Sequence, residues 1–92
     1  MKERFYATVE CAERYGTANK QFELYCEFGK MPSIGDYVEA FRRKGHELEI
    51  TDFITMTFKP VNPSQSPVIA YRVIRALKDH SFTADQLRMK PL

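Results

Sequence analysis

The sequence predicts an α+β domain in which an antiparallel sheet of about four strands carries one helix, in the chain order β-β-α-β-β. Two early stretches alternate apolar and polar residues with a period of two, which is typical of half-buried strands. Residues 33–45 carry the signals that begin and end a helix. If that segment is a strand instead, the alternative is an all-β fold, a five-stranded small barrel or meander.

The chain length and composition are those of one globular domain. The 92 residues correspond to a single domain covering residues 1–92. Hydrophobic residues make up 43% and charged residues 28%, a balance that argues against disorder. No apolar run approaches the roughly 20 residues of a membrane-spanning helix. Because residues 1–5 form no apolar signal region, we expect a cytoplasmic protein, in the host cytosol if a phage encodes it.

The first two predicted strands form a hairpin with one apolar face. That face is made by Phe5, Ala7, Val9, Cys11, Phe22, Leu24, Cys26 and Phe28. If Phe5 lies opposite Phe28 and Cys11 opposite Phe22, every cross-strand pair on the face is apolar, and residues 14–19 form the loop. In that register the two cysteines are not opposite each other. We therefore expect both thiols to be reduced and buried in the core.

Residues 34–44 favour a helix. Ser33 is a suitable N-cap, and Asp36 three residues later completes a weak capping box. Acidic residues fall early, basic residues fall late, and Gly45 follows, as the helix dipole and the C-cap prefer. One helical stripe would carry Ile34, Val38 and Phe41. The competing strand would point Val38 and Ala40 inward and turn at residues 44–45.

Two later segments are predicted as strands. Residues 48–58 form a long strand if a bulge near Asp52 returns the apolar residues to one face. Residues 59–67 contain three prolines and are a loop. Residues 68–76 are rich in β-branched side chains and favour a strand that pairs with residues 48–58, although a helix starting after residues 66–67 stays possible. A short helix over residues 83–89 is also possible.

The sequence contains no recognisable catalytic or metal-binding motif. Phosphate-binding glycine loops, the nucleophile elbow and the HExxH zinc motif are all missing from it. Cys11, Cys26, His46 and His80 lack the close spacings of zinc ligands. We therefore expect no enzymatic activity, no metal and no cofactor.

Charge is distributed unevenly along the chain. Residues 1–39 have five Lys or Arg against seven Asp or Glu, whereas residues 40–92 have nine against five. The candidates for binding a partner or a phosphate are Arg42, Arg43, Lys44, His46, Lys59, Arg72 and Arg75, with Lys78 close by in the sequence. Pairing of the last strand with residues 48–58 would place Arg72 and Arg75 on opposite faces, so only part of the set would form one patch.

The outer face of the first hairpin is a second candidate surface. It combines tyrosines with carboxylates, namely Tyr6, Glu10, Glu23, Tyr25 and Glu27. Such a face suits a protein partner with basic groups. The alternative is that a helix covers the tyrosines as a second core layer.

Residues 31–38 (MPSIGDYV) and 47–54 (ELEITDFI) carry a Pro-x-x-Gly-Asp-x-Val turn that leads towards a strand. This sequence pattern resembles one found in short accessory proteins of phages and mobile elements. The resemblance implies a stand-alone phage-type protein, a class that includes anti-CRISPR proteins, many of which occlude a host complex without catalysis. No functional residue carries over, because that class has no shared motif.

These observations lead to two functional hypotheses. The first is a non-catalytic binding protein, a phage-encoded inhibitor that docks on a host protein or ribonucleoprotein complex, such as a CRISPR surveillance complex, and blocks its nucleic-acid binding. The second is a small RNA- or DNA-binding domain that uses the basic patch. Neither requires a membrane, and the sequence leaves the oligomeric state open.

Overall fold

In the computed structural model, which describes residues 2–79, five antiparallel strands form one sheet with a helix against one face. The elements are β1 (Lys2–Glu13), β2 (Gly16–Glu27), α1 (Ile34–Arg43), β3 (Leu48–Asp52), β4 (Thr57–Pro60) and β5 (Val68–Lys78), with a 3-10 turn at Pro63–Gln65. The strand order is β2-β1-β5-β4-β3. The α+β prediction is confirmed, and the all-β alternative is wrong because residues 34–43 are helical. The predicted helix over residues 83–89 lies outside the described residues.

The first hairpin has the predicted faces but not the predicted register. Phe5 lies opposite Leu24 rather than Phe28. Only residues 14 and 15 form the loop, because Gly16 has a φ of 144° and already pairs with β1. Residues 16–19, predicted as loop, therefore extend β2. A shift of four residues is even, so the apolar faces stay matched, and Cys11 and Cys26 are buried free thiols as predicted.

Helix α1 begins as the sequence predicts. The Ser33 hydroxyl accepts from the Asp36 backbone N–H at 3.2 Å, and the Asp36 carboxylate accepts from the Ser33 backbone N–H at 2.9 Å. Phe41 is fully buried, and its ring centroid lies 5.1 Å from those of Phe22 and Phe58. The helix therefore holds the centre of an aromatic core against the inner face of the sheet.

The predicted long strand over residues 48–58 is wrong. The chain reverses between β3 and β4, because the Asp52 carboxylate accepts from the backbone N–H groups of Ile54 (2.9 Å) and Thr55 (3.3 Å). An aspartate that bonds its own backbone in this way competes with a strand ladder. Met56, with a φ of 52°, completes the turn. Ile54, which the predicted strand would have carried on the same face as Leu48 and Phe58, is 95% exposed.

Strand β5 is confirmed, and the alternative helix is wrong. Its main neighbour is β1, and it pairs with β4 only through residues 71 and 72. Thr8 lies opposite Arg75 while Val9 lies opposite Val73, so a bulge occurs at residue 74. The bulge places Arg75 on the same face as Arg72, which corrects the prediction that they lie on opposite faces.

Helix α1 packs on the inner face of the sheet and contacts β2 and β3. Within residues 2–79 no second helix covers the opposite face, so the tyrosines of β1 and β2 do not form a second core layer there. Nor does any helix of these residues have the length and apolar character to cross a membrane.

Candidate functional site

The outer face of the sheet, defined as the strand side chains that point away from α1, brings together residues that are distant in sequence. Strand pairing aligns them in rows across β2, β1 and β5. The rows are Glu23–Tyr6–Leu77, then Gln21–Thr8–Arg75, then Asn19–Glu10–Arg72. Side chains in one row are direct cross-strand neighbours, roughly 5 Å apart. The face is therefore one continuous surface that combines three strands.

Charge pairs connect the outer face from strand to strand. The Arg72 guanidinium lies 3.2 Å from the Glu10 carboxylate. Arg4 lies 2.6 Å from Asp79 and 3.9 Å from Glu23, and its guanidinium carbon is 5.5 Å from the centre of the Tyr6 ring. Arg4 was not among the sequence candidates, although its parity with Tyr6 in β1 would have placed it on this face.

The predicted acidic and aromatic set lies together on the outer face. Tyr6 and Glu10 come from β1, whereas Glu23, Tyr25 and Glu27 come from β2. The Tyr25 hydroxyl donates to the Glu23 carboxylate at 2.7 Å. Leu77, 61% exposed, stands opposite Tyr6 and was missed, because its face depends on the bulge at residue 74.

The predicted basic set is divided between distant positions. Lys59, Arg72 and Arg75 belong to the outer face. Arg42 is held by two carboxylates, Glu39 at 2.8 Å and Glu47 at 3.2 Å. The remaining members, Arg43, Lys44 and His46, lie at the C-terminal end of α1. The set therefore does not form one patch, and its division differs from the predicted one, because Arg72 and Arg75 share a face.

A groove, here called the edge groove, runs over the free edge of β2. One part, of about 480 Å³, has Tyr6, Glu23 and Tyr25 on its outer side and Arg43 and Lys44 on its helix side. A second part, of about 340 Å³, is lined among others by Lys20, Lys44 and His46. Gln21 and Lys44 line both parts, so the two parts adjoin each other.

Arg43 is the residue that joins the helix to the sheet edge. Its guanidinium donates to the Glu23 backbone carbonyl at 2.6 Å and lies 5.3 Å from the centre of the Tyr25 ring. It thereby covers a main-chain acceptor of an edge strand, a position where unpaired groups invite further strands. The position of the guanidinium over the Tyr25 ring is also within cation–π distance.

The buried side chain of Tyr71 lines the second part of the groove. The Tyr71 hydroxyl, fully buried, donates to the Glu13 carboxylate at 2.7 Å. This hydrogen bond lowers the pKa of Glu13, while burial raises the pKa of Tyr71 well above its usual value. The His46 ring lies 5.6 Å from the Tyr71 ring.

Burial also keeps both thiols protonated. It raises the pKa of Cys11 and raises that of Cys26 to about 12. A thiolate is the nucleophilic form of cysteine, so neither side chain is activated at neutral pH. In the part of the chain that the structure describes, no three His, Cys, Asp or Glu side chains converge on a metal site.

Comparisons with known proteins find no relative of this chain. The chain matches no protein-family model, no curated protein and no solved structure.

Proposed function

We propose that the chain is a non-catalytic binding domain that docks on a partner protein through the outer face of its sheet. The observation that carries the proposal is the row Glu23–Tyr6–Leu77 beside Arg75, which sets an aromatic and an aliphatic side chain among charges. Protein interfaces are enriched in tyrosine and arginine at their centre and have a polar rim. The chemistry of the face therefore suits a protein partner.

The charge pattern favours protein over nucleic acid as the partner. Carboxylates of Glu10 and Glu23 stand directly beside the guanidinium groups of Arg72 and Arg4. A phosphate backbone on this face would meet carboxylates in the same rows as its cationic partners. The whole chain has a net charge of only +2, which gives little long-range attraction for a polyanion.

We further propose that the partner is a host protein or ribonucleoprotein complex, for example a CRISPR surveillance complex, whose nucleic-acid binding is blocked by occlusion. This finer proposal rests on the resemblance of residues 31–38 and 47–54 to phage accessory proteins and on the small size of the chain.

A small RNA- or DNA-binding domain is the second candidate. The observation in its favour is that Arg75, on the outer face, stands in the row next to Tyr6. Within residues 2–79, Arg75 forms no ion pair shorter than 4 Å. An unpaired guanidinium beside an aromatic ring is a combination that single-stranded nucleic acids use.

Capture from a host lysate tests the proposal. The bait is the full chain, compared with a variant that combines Leu77→Asp and Arg75→Glu on the outer face. The matched control is Ile54→Asp, the same kind of change at an exposed apolar residue of the β3–β4 turn. We expect a stoichiometric protein partner on the wild type and the control but not on the outer-face variant, with folding of all baits checked by circular dichroism.

Two results would contradict the proposal. The first is a partner that the outer-face variant retains in full, and the second is a lysate that yields no stoichiometric protein. A mobility shift of single-stranded RNA or DNA at about 50 mM salt that disappears by about 200 mM would favour the second candidate function instead.

A further inference from the structure

The edge groove collects cations from separate elements at one edge of the sheet. Lys20 comes from β2, and Arg43 and Lys44 come from the end of α1. We propose that this groove binds an acidic peptide segment of the partner protein, an inference that rests on the proposed function and names the chemistry of one contact. The occupant would lie along the free edge of β2, beside the outer face.

The carboxylates next to the groove do not neutralise its main cations. Glu23 is held by the Tyr25 hydroxyl and by Arg4. Glu13 accepts from the Tyr71 hydroxyl and lies 3.5 Å from Lys20. Within residues 2–79 neither Arg43 nor Lys44 has a carboxylate within 4 Å, so both keep their charge available.

Arg43 is already oriented for a carboxylate. Its guanidinium donates one N–H to the Glu23 carbonyl, and its central carbon lies 5.3 Å from the centre of the Tyr25 ring. A guanidinium has five N–H donors in a rigid fork that matches a carboxylate. Because the side chain is fixed before binding, little conformational entropy remains to be lost when a carboxylate docks.

The dimensions of the groove suit an extended peptide. Its two parts follow β2 from Lys20 to Tyr25, and Lys44 lines both. Five residues of an extended strand span roughly 17 Å. A partner segment of about five residues would therefore pass Arg43, Lys44 and Lys20 in turn, and acidic side chains at alternate positions would point towards them.

Nucleic acid fits the groove less well. Single strands bind largely by stacking bases on aromatic rings. A guanidinium already lies near each ring: that of Arg43 near Tyr25, and that of Arg4 near Tyr6.

Binding of a synthetic deca-glutamate peptide by the full chain tests the inference. Fluorescence anisotropy of the labelled peptide gives the affinity, and amide shifts of the ¹⁵N-labelled protein locate the site. The variant is Lys44→Glu, and the control is Lys30→Glu, the same charge change at an exposed lysine of the β2–α1 loop that does not line the groove. We expect shifts at Gln21, Lys44 and His46, and a three- to tenfold weaker affinity for Lys44→Glu, because the charge reversal removes one surface attraction and adds one repulsion. The control should change the affinity less than twofold.

Three outcomes would overturn the inference: equal weakening by both variants, shifts outside the edge groove, or tighter binding of a labelled ten-nucleotide oligothymidine than of the peptide. The test is separate from that of the proposed function. Deca-glutamate binding in the groove can hold while lysate capture fails, which would reject the outer-face partner alone. If the wild type captures a partner, the outer-face variant (Leu77→Asp with Arg75→Glu) loses it, and the wild type does not bind deca-glutamate, the groove proposal alone is rejected.

Discussion

The hydrogen bond between Tyr71 and Glu13 gives a prediction whose size follows from the geometry. Tyr71→Phe removes the only polar atom of a fully buried side chain and leaves the ring contacts of the aromatic core in place. Hydrogen bonds to charged groups contribute about 1.5–3 kcal/mol. The Glu13 side chain is 24% exposed, so water can replace the lost donor. We therefore expect a loss of about 1–2 kcal/mol in the free energy of unfolding at pH 7.

The same bond predicts how the loss depends on pH. The Tyr71 hydroxyl is the largest cause of the lowered pKa of Glu13. A lowered carboxylate pKa stabilises the fold above the unfolded value, near 4.5, and this stabilisation disappears as the pH falls through the folded value. The difference in the free energy of unfolding between wild type and Tyr71→Phe should therefore be largest at pH 7 and decrease below pH 4.5.

Thermal and urea unfolding followed by far-UV circular dichroism measure this difference. For a domain of this length the expected decrease in Tm is roughly 5–15 °C. Tyr37→Phe is the matched control, because Tyr37 is buried and its hydroxyl makes no hydrogen bond within residues 2–79. A double-mutant cycle with Glu13→Gln should give a coupling of about 1 kcal/mol. Equal losses for both tyrosine variants, with no pH dependence, would refute the reasoning.

Three further predictions concern buried groups. Cys11 and Cys26 should not react with Ellman's reagent at pH 8 until the protein unfolds, since burial raises both pKa values; reaction at the rate of a free thiol would contradict this. Phe41→Ala should lower the free energy of unfolding in urea by about 3–5 kcal/mol, because four ring contacts are lost. Phe41→Leu should lower it clearly less, and similar losses for the two variants would argue against an aromatic centre. Glu3→Ala should lower the free energy of unfolding by about 2 kcal/mol, because buried Glu3 pairs with Lys78 and accepts a hydrogen bond from a backbone N–H of the β2–α1 loop. A loss below about 0.5 kcal/mol would show that water replaces these partners.

The hairpin shows which part of the fold periodicity could predict. Alternation identified the faces of β1 and β2, because side chains on one face of a strand recur every second residue. It could not select between registers that differ by an even number of residues. That choice depended on Gly16, whose φ of 144° allows a two-residue loop. Likewise, the apolar alternation of residues 48–58 concealed the turn that the Asp52 carboxylate makes.

The surfaces show the same division between local and tertiary information. The set around Tyr6 and Tyr25 followed from strand parity alone. The location of Arg43 could not be predicted, because it depends on where the end of α1 meets β2. The Glu39–Arg42 ion pair could have been predicted, because residues three apart on a helix are neighbours, whereas the contact of Arg42 with Glu47 depends on the path of the chain after α1.

The bulge at residue 74 makes the outer face depend on how β5 pairs with β1 as well as on residue identity. Deleting this one residue would restore simple alternation in β5 and leave Arg75 outward and Ala76 inward, because residues 73 and 75 would become direct neighbours on opposite faces. Deleting residue 76 with the bulge kept would instead turn Leu77 towards the core. Among related chains, a deletion at residue 74 should therefore be tolerated better than a deletion later in this strand.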